Sequence, residues 1–167
     1  LDMNMSWFME EVVIPVISFI GNYFPSLEVE GKGISQYAHS LLKRFHGEWE
    51  YNENWKKTTG HPKKAGWIHA IHKGHQTIQK GLNLTCPILV MSSDKSIPET
   101  KIWNELYHTS DIVLDVKDIQ KYGKMLGSRV TCKQIHNGKH DLILSNEPAR
   151  KETYQVIFSW LKQQSGK

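Results

Sequence analysis

Two stretches constrain this chain more than anything else in it. Pro87-Ile88-Leu89-Val90-Met91-Ser92-Ser93 is a short, continuous apolar run that ends in small polar residues, and Val130 to Ile135 reads as a second strand. A run of this kind suits a strand buried on both faces of a parallel sheet. Helical patterns separate and follow the two runs, so the order is strand, helix, strand, helix. That order predicts an α/β fold with a parallel sheet. Two strong strands are fewer than the ~4–6 of an ordinary sheet. The organisation is therefore that of a piece of a larger fold. Hydrophobic residues at 39% and charged residues at 23% exclude a disordered chain, a collagen-like chain and a coiled-coil rod. The longest apolar stretch, Val12 to Ile20, is interrupted by Pro15 and falls well short of the ~20 residues a spanning helix needs.

The first half reads as helices and loops. Val12 to Phe24 forms a helix kinked or started at Pro15. After the turn-like Glu30-Gly31-Lys32-Gly33, Ser35 is an N-cap candidate, and Tyr37, Leu41, Leu42, Phe45 and Trp49 recur at helical spacing. A loop from Tyr51 to Gly66 leads to a helix with Trp67, Ile68, Ile71 and Ile78 on one side, ending near Gly81. In the second half, a helix from about Pro98 to His108 turns Ile102, Trp103 and Leu106 inward. Ile112-Val113-Leu114 is a very short strand-like piece. Ile119, Tyr122 and Leu126 mark a helix closed by Gly127, and Pro148 to Gln163 carries Tyr154, Ile157, Phe158 and Leu161 on its stripe.

Charge and cysteines narrow the function classes. A net charge of +4 is small, and its only cluster, Trp55-Lys56-Lys57 to Lys63-Lys64, has Gly60 and Pro62 at its centre, as a solvated loop does. Neither this balance nor any known module supports nucleic-acid binding. Cys86 and Cys132 have no CxxC spacing and lie in apolar runs, which predicts buried thiols and fits a reducing, cytoplasmic compartment. His69, His72 and His75 stand three apart on one helix, but no cysteine or carboxylate in that stretch completes a metal site. No metal or other cofactor is expected.

Two residues could carry chemistry. Asp94 follows the first strand directly, and His140 sits just past the second. In open α/β sheets functional groups gather at the carboxyl ends of strands. There a carboxylate can hold an imidazole's tautomer and stabilise its protonated form, as a general base requires. Asp94 is expected within hydrogen-bond reach of His140. Asp115 and Asp118 rival Asp94, but Asp115-Val116-Lys117-Asp118 looks like a helix start, where acids serve as caps. Asp141 is expected to order the loop around His140.

Together, Cys86 to Asp94, Asp111-Ile112-Val113-Leu114-Asp115-Val116, Gly138-Lys139-His140-Asp141-Leu142 and Ile157-Phe158-Ser159-Trp160-Leu161 resemble the end of an α/β-hydrolase. The branch is that of the lysophospholipase- and monoacylglycerol-lipase-like serine hydrolases, which includes serine aminopeptidase-like members. The resemblance covers Leu84 to Leu161 and is weaker before Leu82, where that family inserts a helical cap. It implies a cap over residues 1–81, the last strands and helices of a hydrolase core over 82–167, and no cofactor. The acid role falls on Asp94 and the base role on His140, and the substrate is a lipid-like acyl ester. No G-x-S-x-G occurs in the 167 residues. The chain, which begins at Leu1, is therefore expected to be the C-terminal half of such an enzyme, with its serine upstream and no turnover alone. It is expected to associate with itself or with the other half, and its cap to touch lipid or pack as core. A non-catalytic binding or assembly module, or a peptidase or dehalogenase on the same scaffold, are the alternatives.

Overall fold

A computed structural model of the chain describes residues 8–30, 33–59 and 61–166. The turn expected at Gly31-Lys32 and the glycine of the 55–64 loop lie outside the described residues. Helices and small sheets alternate. They are α1 (Ile14–Tyr23), β1 (Glu28–Glu30), α2 (Gln36–Leu41), β2 (Lys63–Lys64), α3 (Ala65–Gln79), β3 (Ile88–Ser93), α4 (Val116–Gly123), β4 (Val130–Ile135) and α5 (Glu147–Ser165).

β3 and β4 pair in parallel, in register from Ile88 with Val130 to Ser93 with Ile135. This is the strand pair read from the sequence. α4 crosses between them and packs so closely that a Cβ on Gly123 would lie 2.9 Å from Val90 Cγ1. Gln120, one turn earlier, donates to Ser92 Oγ at 2.9 Å. α4 therefore covers the sheet face that carries Val90 and Ser92, as alternation along a strand requires. α5 begins at Glu147 with Pro148 in its first turn, where the missing N–H costs nothing. The other pairing is antiparallel and small, β1 with β2. α1 packs against α3, and Pro15 stands in the first turn of α1 behind a π-helical turn over Met9–Val13.

Four sequence expectations meet corrections here. The stripe from Tyr37 to Trp49 is not one helix. α2 is capped by the Ser35 hydroxyl, which accepts from Ala38 N–H, and it stops at Leu41. There the chain doubles back, so that Trp49 N–H donates to Leu41 O at 2.8 Å, and Gly47 lies where a Cβ would sit 1.9 Å from that oxygen. Tertiary pairing overrides the helical period. Pro98 to Asn104 is also not helical; only a 3-10 turn over Glu105–His108 forms, with Asn104 as its cap. Ile102 and Leu106 consequently face outward, and Tyr107 is the buried residue, its hydroxyl accepting from Thr100 N–H. On α5 the sheltered face carries Ala149 and Thr153, while Tyr154, Phe158 and Leu161 stand exposed. Cys86 is exposed too, because it precedes β3 rather than lying within it.

Candidate functional site

The ends of β3 and β4 hold two separate carboxylate–imidazole pairs. In-register pairing sets the first. Ser93 stands opposite Ile135, so Asp94 is level with His136 and Asn137. Its Oδ2 lies 2.9 Å from His136 Nδ1, and its Oδ1 accepts from Asn137 N–H at 3.0 Å. Asn137 takes a left-handed conformation at φ 55°, which asparagine tolerates better than most residues, and its Oδ1 accepts from Lys95. Asp94 thus latches the turn after β4. The expected bond from Asp94 to His140 is not what the structure holds, because the turn carries His140 past the strand end to a different loop.

That loop, between the 3-10 turn and α4, carries Asp111. Its N–H donates to Lys95 O, and Ile97 N–H donates to Asp111 O, so the segment lies beside the extension of β3. Asp111 is buried, 1% exposed. One carboxylate oxygen accepts from the N–H groups of Val113 and Leu114, at 2.8 and 2.9 Å. The other lies 3.0 Å from His140 Nδ1. The turn made by these two amides also explains why Ile112-Val113-Leu114 is not a strand. A carboxylate held by two backbone donors cannot swing, so its second oxygen is a fixed acceptor for the ring. With Nδ1 engaged there, the nitrogen that could take a proton is Nε2. Asp115 caps α4, accepting from Lys117 N–H at 2.8 Å, as the sequence suggests.

Electrostatics distinguish His140. Burial pulls its pKa down. The hydrogen bond and charge of Asp111, with the charge of Asp141, outweigh that and leave it above the ordinary histidine value. The acid partner thus stabilises the imidazolium that a base becomes after taking a proton. Asp141 itself forms a hydrogen bond with the Tyr37 hydroxyl and lies 3.4 Å from Lys56 Nζ. Burial pushes its carboxyl up, but Tyr37, Lys56 and His140 bring it below the usual range. Asp141 does order the loop, by tying it to α2.

Asp111 and His140 share the wall of a cavity of about 310 Å³ with Ile78, Val90, Leu114, Ile119 and Leu126. Val90, Met91 and Ser92 line it consecutively, so the cavity runs along one edge of β3. A second cavity of about 850 Å³, between α1, α3 and α4, shares His75, Gln79 and Tyr122 with the first. An apolar cleft with a few convergent polar groups is the usual form of a small-molecule site. Of the three histidines on α3, His69 bonds Ser18, and His72 bonds Gln76. Among the described residues no three side chains form a metal-binding group. No helix of the described residues is long and apolar enough to cross a membrane.

The sequence offers His140 with Asp94 and does not single out Asp111, the carboxylate that the structure sets against His140, although Asp111 opens one of the motifs above. The signal was present: a lone acid directly before three apolar residues, free to cap the amides two and three positions on. Compared with protein-family models, curated proteins and solved structures, the chain gives no match.

Proposed function

We propose that this chain supplies the acid and base of a serine hydrolase acting on carboxylic esters, with the α/β-hydrolase core order over residues 82–167 and a helical cap before it. The observation that carries this reading is the Asp111–His140 pair, a buried, doubly anchored carboxylate at 3.0 Å from an imidazole that borders an apolar cavity. Asp111 orients and charges His140. Nε2 of His140 takes the proton of a serine hydroxyl as that oxygen attacks the ester carbonyl, then returns it to the leaving alkoxide. Asp94, given the acid role by the resemblance, holds the turn instead. The apolar cavity favours a lipid-like acyl group on the substrate.

The nucleophile belongs to a segment outside these 167 residues, and the exposed surfaces support such an association. Phe8, Val16, Phe19 and Tyr23 form an uncovered stripe along α1 and the turn before it, and Tyr154, Phe158 and Leu161 form another on α5. Apolar faces of this kind mark contact with further protein or with lipid.

The test uses the native polypeptide that carries these residues. A fluorophosphonate probe should label one serine, located by peptide mapping outside residues 1–167, and His140→Ala should abolish the labelling. Absence of labelling, or a labelled serine within the chain, would overturn the reading.

A further inference from the structure

We propose that Tyr37 and Asp141 are positioning residues for His140, acting as a clasp between α2 and the base loop that sets the stance of the imidazole. The proposal rests on the reading of His140 as the base. It goes beyond that reading by assigning work to a helix with no chemistry of its own.

Alternation along the loop is the starting observation. Lys139 and Asp141 both turn to the α2 segment, while His140 between them turns to Asp111. Lys139 Nζ donates to Ser40 O, and Lys139 N–H donates to Ser145 Oγ at 2.8 Å. Asp141 and Tyr37 bond in both directions. The hydroxyl donates to Asp141 Oδ2, and Asp141 N–H donates to the same hydroxyl at 3.3 Å. The Tyr37 ring meets the His140 ring edge-on, with centroids 5.8 Å apart and planes at 87°. One tyrosine therefore fixes the residue after the base by its hydroxyl and the base itself by its ring. Lys56 closes the clasp from a third side, its Nζ 4.9 Å above the Tyr37 ring.

The charges around His140 come from each element packed on it. Asp111 and Asp141 favour the imidazolium, and Lys56, from the loop after Trp55, opposes it. His75 of α3 lines the same cavity. Tyr37 stays a neutral donor, because burial and then Asp141 push its pKa up. Asp141 reaches His140 by its charge through space, whereas Tyr37 reaches it by holding Asp141 in place. A role of that kind makes the two residues interdependent.

The experiment is an NMR titration of the imidazoles of the native polypeptide that carries these residues, with His140 identified by His140→Gln. Asp141→Asn should lower the His140 midpoint by roughly half a unit, as expected for removal of one neighbouring solvent-screened charge. Tyr37→Phe should lower it by a smaller amount, and in the Asp141→Asn background it should add no further shift. Asp141→Glu should restore most of the wild-type midpoint. If Asp141→Asn fails to fold, Tyr37→Phe against Asp141→Glu carries the same comparison. A midpoint unmoved by Tyr37→Phe, or shifts that simply add in the double variant, would overturn the proposal. The readout needs no turnover. A negative serine-probe result with the coupling intact sinks only the hydrolase reading, and labelling with superposable titrations sinks only the clasp.

Discussion

The two carboxylate–imidazole pairs have nearly the same length, 2.9 Å for Asp94 with His136 and 3.0 Å for Asp111 with His140. Their surroundings differ. The His136 side chain is 75% exposed and Asp94 29%, whereas His140 is 29% exposed and Asp111 2%. In water-like surroundings such a contact contributes little, because solvent screens it and the side chains lose freedom to hold it. Behind a buried carboxylate the same contact controls the protonation of the ring. Distance alone therefore does not separate a latch from a pair that tunes a ring's protonation; burial and the second oxygen's partners do.

The largest effect should appear in turnover. In the native polypeptide, His140→Ala and Asp111→Asn should each lower kcat/KM by about 10⁴ on an acyl ester. His136→Ala and Asp94→Asn should leave it nearly unchanged. The opposite ranking in steady-state kinetics would return the acid role to Asp94.

Stability should separate the pairs next. Asp111→Ala strands the Val113 and Leu114 amides and removes the ring's acceptor, for a loss of about 3 kcal/mol in urea unfolding of the chain. Asp94→Ala gives up a screened pair and one amide contact, so about 1 kcal/mol is expected. Equal losses would mean that burial does not distinguish the two sites.

Legibility in the sequence followed the range of the forces involved. β3 and β4 could be read because their strand-forming residues lie next to one another, although Ile88 to Met91 are only half-buried and Ile135 is the one buried residue of β4. Ser35 and Asp115 could be read as caps because a cap bonds within three residues of itself. Asp111 was legible only as a local cap of the Val113 and Leu114 amides; its pairing with an imidazole 29 positions away was not. The end of α2 was hidden for a similar reason. Nothing between Tyr37 and Trp49 breaks the helical period; the return of Trp49 onto Leu41 does. The resemblance gave the acid role to Asp94, whereas the carboxylate beside His140 in the structure is Asp111.

The smallest effect concerns the lysines that accompany the two pairs. Lys95 bonds Asn137 Oδ1 in the exposed turn, while Lys139 is buried, 2% exposed, on Ser40 O. Burial pushes the Lys139 ammonium down to about 8, against a weaker upward pull from Glu48. Between pH 8 and its ordinary 10.5 the unfolded chain therefore holds a proton that the folded chain lacks. Stability rises with pH wherever the unfolded state binds more protons, so this group makes folding more favourable across that window. Lys139→Met should flatten that rise in urea midpoints measured from pH 7 to pH 10.5, and Lys95→Met should not. Matching profiles would show that the two lysines share one environment.

The contacts between α2 and the loop of His140 also carry a kinetic consequence. Tyr37 and Asp141 are 104 positions apart, and Lys139 and Ser40 are 99 apart. Joining such distant points costs closure entropy that is recovered only when the intervening helices and both strands have already condensed. The clasp should therefore form late in folding and open early in unfolding, which folding and unfolding rates of Tyr37→Phe would check. Substitutions in it act chiefly on how fast the chain lets go, with little change in how fast it first collapses.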